Sequence, residues 1–241
     1  MDTSGNLEIN AITLNTIDRT NNSEISSPIY ILDKPLYNLR AYKLKNLTIP
    51  LTVYNIDSRN NKLLVKEDGN TAVIVTLVSQ NYTISQLQTE LKTKLDAISS
   101  KVYTITYDTQ VSKISISVNT GTFTFLQTND NCYYELGIRN LNIAYSSYKS
   151  ETQIDLSGLK VISIVCPSFS SNYTQSNYNI IASATVNERL GDIASFTDNS
   201  FDYINIRENS VSSLQFILID ERGRRLTINN DWILTILFQT E

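Results

Sequence analysis

Residues 211–238 read VSSLQFILIDERGRRLTINNDWILTILF, and the reading of this stretch decides the fold. Two apolar runs, 214–219 and 232–238, flank a charged segment centred on Gly223. Roughly six consecutive apolar or β-branched residues without helical spacing indicate strands covered on both faces. Glu221-Arg222-Gly223-Arg224 is turn chemistry, because Gly223 can take the positive φ that a tight hairpin needs. A short polar strand is expected over 226–229. The last apolar run then reads as the closing strand of a sandwich or barrel, tied into a sheet rather than hanging as a loose tail.

The chain has 241 residues, enough for one large or two smaller β domains with a sizeable core. Its formal charge of −4 is modest and dispersed, so no basic face for nucleic acid is expected. There are no histidines, which excludes Ser-His-Asp and Cys-His nucleophilic machinery and removes the commonest zinc ligand. Cys132 and Cys166 are too few for a disulfide framework or a four-cysteine metal site, and a single bridge or two buried free thiols both remain open. The first residues, MDTSGNLEIN, carry neither a basic region nor an apolar run, so no secretory signal is read and synthesis in a cytosol is expected. No apolar stretch approaches the ~20 residues of a membrane-spanning helix. Tyr, Ile and Thr suit pleated sheet surfaces, and Asn and Ser supply turns, so the composition is that of an all-β protein with one exception.

The exception is a helix. Thr83-Ile84-Ser85-Gln86 is a capping box, with Tyr82 and Leu87 at the hydrophobic-staple positions. Ile84, Leu87, Leu91, Leu95 and Ile98 recur at helical spacing, giving an amphipathic helix whose stripe lies on a sheet or, on a sharper reading, takes a cofactor or partner. Before it, 62–66 and 71–77 alternate around Asp68-Gly69, a favoured type I′ pair. After it, strands at 101–107, 113–118 and 122–126 are separated by hairpin-length connections and read as a meander. Asn129-Asp130-Asn131 is a turn, and residues 133–137 a packed connector. Hairpin, helix and meander make a small α+β domain over 58–147.

Outside it, strands are expected at 28–32 and 40–55, with Pro50 marking an edge, bulge or break. Others fall at 159–166, 178–185, 193–196 and 201–207, ahead of the stretch quoted first. Their number suits a single eight-stranded jelly-roll sandwich formed by 28–57 and 148–241, with 58–147 inserted. Residues 1–27 are polar and rich in Asn, Ser and Thr, and read as a flexible N-terminal arm, although the alternation at 11–17 leaves a strand open there.

No catalytic, cofactor-binding or metal-binding residue emerges. There is no glycine-rich phosphate loop, no Gly-x-Ser-x-Gly elbow and no Cys-x-x-Cys. Asp130 lacks the alternating partners of a calcium loop. Glu67-Asp68 and Asp220-Glu221 fall at hairpin tips, where acids are usually solvated, and nothing brings two carboxylates together as a glycosidase would require. Tyr133, Tyr134, Tyr145, Tyr148, Tyr173 and Tyr178 fall near loops, as either interface residues or sheet cover.

Three blocks carry a family resemblance. The opening has Ile12, Asn15-Thr16-Ile17-Asp18-Arg19, Pro28-Ile29-Tyr30-Ile31 and Ile49-Pro50 with Tyr54-Asn55-Ile56. The middle has Asn81-Tyr82-Thr83 leading the helix, residues 103–107 and Glu135-Leu136-Gly137. The ending has Leu218-Ile219-Asp220-Glu221-Arg222-Gly223 and Asn229-Asn230-Asp231-Trp232-Ile233-Leu234-Thr235-Ile236. In order and spacing they resemble penton and minor capsid proteins of virophages, polinton-like viruses and related large DNA viruses. The resemblance implies a single jelly roll assembling as a homopentamer at icosahedral vertices of a virion, beside trimers of a double-jelly-roll major capsid protein. It carries over no catalytic residue and implies an outward domain at 58–147. On physical grounds the polar arm 1–27 would order beneath neighbours, exchanging its entropy for contact area, so that loss of 1–22 would weaken assembly without unfolding the monomer. A minor capsid or cement role, or a jelly-roll module binding a host receptor or carbohydrate, is the alternative.

Overall fold

The computed structural model describes residues 8–20, 23–99, 101–169 and 180–241. In chain order the first strands are β1 Glu8–Asn15, β2 Ile29–Tyr37, β3 Leu39–Pro50, β4 Lys62–Glu67 and β5 Val73–Thr76. Helix α1, Ile84–Ala97, is followed by β6 Tyr103–Asp108, β7 Lys113–Val118, β8 Phe123–Leu126, β9 Ala144–Tyr145 and β10 Ser147–Lys149. Then come β11 Val161–Val165, β12 Ile180–Thr185, β13 Ile193–Thr197 and β14 Ile204–Asn205. The last three are β15 Ser210–Gln215, β16 Ile217–Ile219 and β17 Ile233–Thr240. The chain divides into two compact units, Met1–Val53 with Leu159–Glu241, and Tyr54–Gly158.

The first unit is an eight-stranded jelly roll. One sheet has the order β1-β17-β3-β13, with β14 prolonging β13 along β3. The other joins β12-β11-β16 to β15-β2, because β15 and β16 are parted only by Phe216, whose N–H donates to Pro28 O at 3.1 Å. Taking β13/β14 and β15/β16 each as one strand, the eight run 1-8-3-6 in one sheet and 2-7-4-5 in the other, the interleaving produced by two Greek keys folded face to face. Leu44, Leu47, Ile49, Leu234, Ile236 and Phe238 from the first sheet meet Tyr30, Ile162, Ile164, Leu214, Phe216 and Leu218 from the second in one buried cluster.

A bulge fixes the phase of β3. Thr235 pairs with Asn46 and Ile236 with Leu44, so Lys45 has no opposite residue. The extra residue lets Tyr42 and Leu44 on one side of it and Leu47 and Ile49 on the other all face the core. On β17, Leu234, Ile236 and Phe238 are fully buried while Ile233 is 41% exposed, so this strand has one core face and one open face, not two covered ones. The turn after β16 is as its sequence indicates: Gly223 has φ +75°, and its N–H donates to Asp220 O at 3.0 Å. Residues 226–229 are not a strand, but Leu226 and Ile228 fill the core.

The region read as an N-terminal arm contains the first strand of the roll. Glu8–Asn15 pairs with β17 along its whole length, from Glu8–Thr240 to Asn15–Ile233. A 3₁₀ turn, Thr16–Asp18, then anchors the chain through Thr16 N–H to Trp232 O (3.0 Å) and Trp232 N–H to Thr16 Oγ1 (2.9 Å). The polar residues that suggest an arm, Glu8, Asn10, Thr13 and Asn15, are spread over both faces of this strand, which is held by its pairing with β17.

In the second unit α1 has the capping box expected of it: Gln86 N–H donates to Thr83 Oγ1 at 3.3 Å and Thr83 N–H to Gln86 Oε1 at 2.9 Å. Its stripe of Leu87, Leu91 and Leu95 is fully buried and packs with Tyr103, Ile116, Phe123 and Phe125 in a core of the unit's own. The stripe is therefore core packing. The expected meander is not formed. β6 and β7 pair, but β7 takes β10 on its other side, and β8 leaves to pair with β4 and β9. The reason lies at the 119–122 turn, where Thr122 N–H donates to Asp68 Oδ1 at 2.7 Å and Asp68 N–H to Thr122 O at 3.1 Å, which stitches the start of β8 to the end of β4. The Asp68-Gly69 loop is not type I′, since only Asp68 lies in the left-handed region (φ +43°).

Removing residues 1–15 strips Ile12 and Leu14 from the jelly-roll core and turns β17 into an edge. We expect a loss of at least about 2 kcal/mol, read by urea unfolding followed on the single tryptophan, Trp232; an unchanged midpoint would return β1 to the status of an arm. In the second unit, a Cβ on Gly137 (φ +72°) would stand 2.2 Å from Thr152 O, a backbone atom. Gly137→Ala is expected to cost roughly 2–5 kcal/mol, combining left-handed strain with overpacking, measured as a lowered midpoint of the helical circular dichroism signal.

Candidate functional site

Of the acids at the two hairpin tips, Glu67 and Asp220 are buried and internally bonded, while Asp68 and Glu221 are exposed, as acids at such tips usually are. Glu67 is 9% exposed and accepts from Ser99 Oγ at 2.8 Å and Tyr103 OH at 2.6 Å. Asp68 accepts from Lys101 Nζ at 2.6 Å, and that ammonium also donates to Thr120 O (3.1 Å) and Thr122 O (3.2 Å). Three acceptors match the three donors of a lysine. Gly121 (φ +68°) passes so close to this ammonium that a Cβ would lie 2.4 Å from it. Asp220, 3% exposed, accepts from the N–H groups of Arg222 and Arg224, each at 2.9 Å, and from Arg224 Nε at 2.8 Å. Asp130 (φ +53°) pairs with Lys62 at 2.9 Å. Among the described residues, no group of three His, Cys, Asp or Glu side chains is placed to hold a metal ion.

The tyrosines divide. Tyr133 is buried, its hydroxyl accepting from Leu64 N–H (2.9 Å) and donating to Leu126 O (2.7 Å). Tyr148 is buried against Phe125 and Tyr145, and its hydroxyl donates to Glu151. Both are sheet cover rather than interface residues. Tyr134 is 42% exposed with the Arg139 guanidinium 4.4 Å above its ring. Tyr173 and Tyr178 lie outside the described residues. Cys132 and Cys166 are free and buried, and burial pushes the Cys166 thiol up to about 12, so neither is an activated nucleophile.

What the jelly roll offers outward is surface. On the sheet β1-β17-β3-β13 the outward positions are Ile9, Ala11 and Thr13 of β1, Ile233, Thr235 and Leu237 of β17, Asn46 and Thr48 of β3, and Ile193, Ser195 and Thr197 of β13. None is charged. Thr13 and Thr235 share a 3.0 Å hydroxyl contact. Lys43, on the same side, is 5% exposed and neutralised by Asp198 at 3.4 Å, which belongs to a segment folded over it. Phe201, in that segment, is 96% exposed. Charge depletion with exposed aliphatic and aromatic residues is the composition of an interface centre. Composition and spacing did not reveal this face, because it exists only once four distant segments are aligned.

No family model matches the sequence, and no curated protein matches it. Among solved structures, the chain is similar to the mavirus penton protein, at 9% identity and a TM-score of 0.47, over 97% of this chain and 100% of that one. A second similarity, to the D2-D3 domains of the flagellar cap protein FliD from Escherichia coli, has 12% identity and a TM-score of 0.20, over 94% of this chain and 98% of that one. The jelly-roll assignment rests on the strand pairing itself.

The acids of the second unit make its stability pH-dependent. The hydrogen bond from Lys101 holds Asp68 below the usual carboxylate range, and that from Lys149 does the same for Asp108. At Asp96 and Glu151 burial pushes upward but is outweighed, by Lys92 and the Tyr103 N–H at Asp96 and by Tyr148 and the Arg139 N–H at Glu151, so both also end low. A depressed folded value stabilises above the unfolded value, about 4 for these groups, and that stabilisation is lost as pH falls through the folded values. Urea midpoints for the helical signal are expected to be flat from about pH 7 to 5 and to fall below about pH 4, with a shallower fall in Asp68→Asn.

Proposed function

We propose that this chain is a structural virion protein, a penton that closes as a homopentamer at the five-fold vertices of an icosahedral shell. The observation that carries the reading is the strand order: an eight-stranded jelly roll, interrupted between its third and fourth strands by a folded unit with its own core. That is the arrangement implied by the resemblance of the sequence blocks to penton and minor capsid proteins. The outer face of the β1-β17-β3-β13 sheet, whose charges are confined to Lys43, Lys45 and the Asp198 segment over them, supports it, since a ring needs one lateral surface repeated to closure. On this reading the neighbours are other copies of the chain and trimers of a double-jelly-roll major capsid protein, the Tyr54–Gly158 unit is the outward domain, and the chain carries out no catalysis.

Light scattering on the purified protein tests it. A mass near five times 27.2 kDa, stable over a tenfold dilution, is expected. A protein that stays monomeric at every concentration, or settles at two or three copies, would overturn the pentamer.

A further inference from the structure

We propose that the ring is closed edge to edge, β1 of one copy adding to β13 of the next so that the first sheet runs on from subunit to subunit. The inference rests on the pentameric reading above and names the surface that would make it. A strand at a sheet edge presents unpaired N–H and C=O groups, and proteins ordinarily guard such edges with charges, prolines, bulges or brevity. In this jelly roll the guards are distributed unevenly. The second sheet ends in β2 and β12. On β2, Leu32, Asp33, Lys34 and Pro35 arch outward opposite the single residue Ser212. On β12, Ile181 is a bulge between the pairs Ile164–Ala182 and Val165–Ile180. The first sheet ends in β1, EINAITLN, and β13, IASFT, each in unbroken register with its inner neighbour. Glu8 is the one charge on either strand, and neither contains proline. Among the described residues no backbone hydrogen bond crosses the outer edge of either one.

Two further observations point to a second copy as the occupant. The core is left open at both of these edges. Ile12 and Leu14 of β1 pack on the central cluster but are only partly buried, and Ala194 and Phe196 of β13 are in the same state. Beside β13 a small, shallow slot opens between the two sheets, lined mainly by Leu47, Ile49, Ile162, Ala194 and Phe196, with Thr185 and Ser195 beside them. A β1 strand added to β13 brings its inward Ile12 and Leu14 to that slot, so one copy's uncovered residues close the other's opening. The strand senses also agree. Three antiparallel steps separate β1 from β13, so the two edges run in opposite directions. Copies related by rotation about an axis along the strands therefore meet in antiparallel register, the pairing the sheet already uses. The contact is heterologous, with a different edge on each side, and such contacts close into rings.

The test uses two double variants of the full chain, Ala11→Lys with Thr13→Lys on β1, and Ser195→Lys with Thr197→Lys on β13. All four residues face outward and are exposed, so folding is retained and is checked by unchanged Trp232 emission. Each variant alone is expected to fall from five subunits to one by light scattering. Mixed, they are expected to give a mass of two and no more, because the β1 variant keeps an intact β13 edge and the β13 variant an intact β1 edge. Variants that both remain pentameric would overturn the edge assignment while leaving the pentamer standing. Loss of the ring only in the β1 variant would overturn it in favour of β1 meeting a surface other than the β13 edge. A wild-type chain without a pentamer would bring down both readings.

Discussion

The pairing of β3 with β17 is the constraint on which the jelly roll depends. These are the two inner strands of the first sheet, one near the start and one at the end of the chain, and both outer strands of that sheet are hung on them. Without the bulge at Lys45 the alternation would place either Tyr42 and Leu44 or Leu47 and Ile49 on the solvent side. Each fully buried side chain of that size contributes on the order of 1.5–3 kcal/mol, so losing two from the core would remove a large part of the margin by which a domain is stable. The bulge is therefore what makes a twelve-residue β3 usable as a core strand over its whole length. On the outer side Asp198 and Ser200 enclose Lys43, and Lys45 donates to Asp198 O and Asn199 Oδ1 of the same segment.

The inserted unit solves a different problem, holding two small sheets and a helix together with few residues. Its apolar core is conventional: three leucines of α1 over aromatic residues of β6 and β8. Its connections are held by polar groups at low exposure. Glu67 bridges Ser99 and Tyr103, Lys101 joins the loops at 68 and 120–122, and Asn60 donates to Glu135 Oε1 at 2.8 Å and to Asn55 O at 2.9 Å. Buried groups of this kind hold one geometry when satisfied and are costly when a partner is lost. Glycine at 121 and 137 follows from the same crowding, since in each place another group occupies the space of a side chain.

The sequence was legible where one physical signal dominates. The helix could be read because its capping box and leucine spacing are local, and the turn at Gly223 because a tight reversal needs positive φ. The jelly roll and its insertion could be read from the number and placement of strands. Three things could not. The strand at Glu8–Asn15 mixes polar residues into both faces and so imitates a disordered arm, and only its partner β17 makes it a strand. The meander failed because hairpin-length spacing shows that two segments are near, not which sheet each joins, and the Asp68–Thr122 bonds that send β8 to β4 span 54 residues. The acids at 67 and 220 looked solvated because nothing in the local pattern announces Ser99, Tyr103 or the amides of Arg222 and Arg224 as partners.

These misreadings share a consequence for function. Several of the charged groups that sequence leaves as surface decoration are used internally, at Lys43, Glu67, Lys101 and Asp220, each engaged with named partners. Most outward positions of the first sheet are left to threonine, isoleucine, serine and alanine. A surface of that kind combines alkyl and hydroxyl groups, the composition of an interface centre. It is suited to contact over area, where the favourable term is removal of apolar surface from water and specificity comes from strand register. The same arrangement that makes the core continuous, two central strands whose outer neighbours carry a single charge, Glu8, between them, leaves that sheet with two lightly guarded edges.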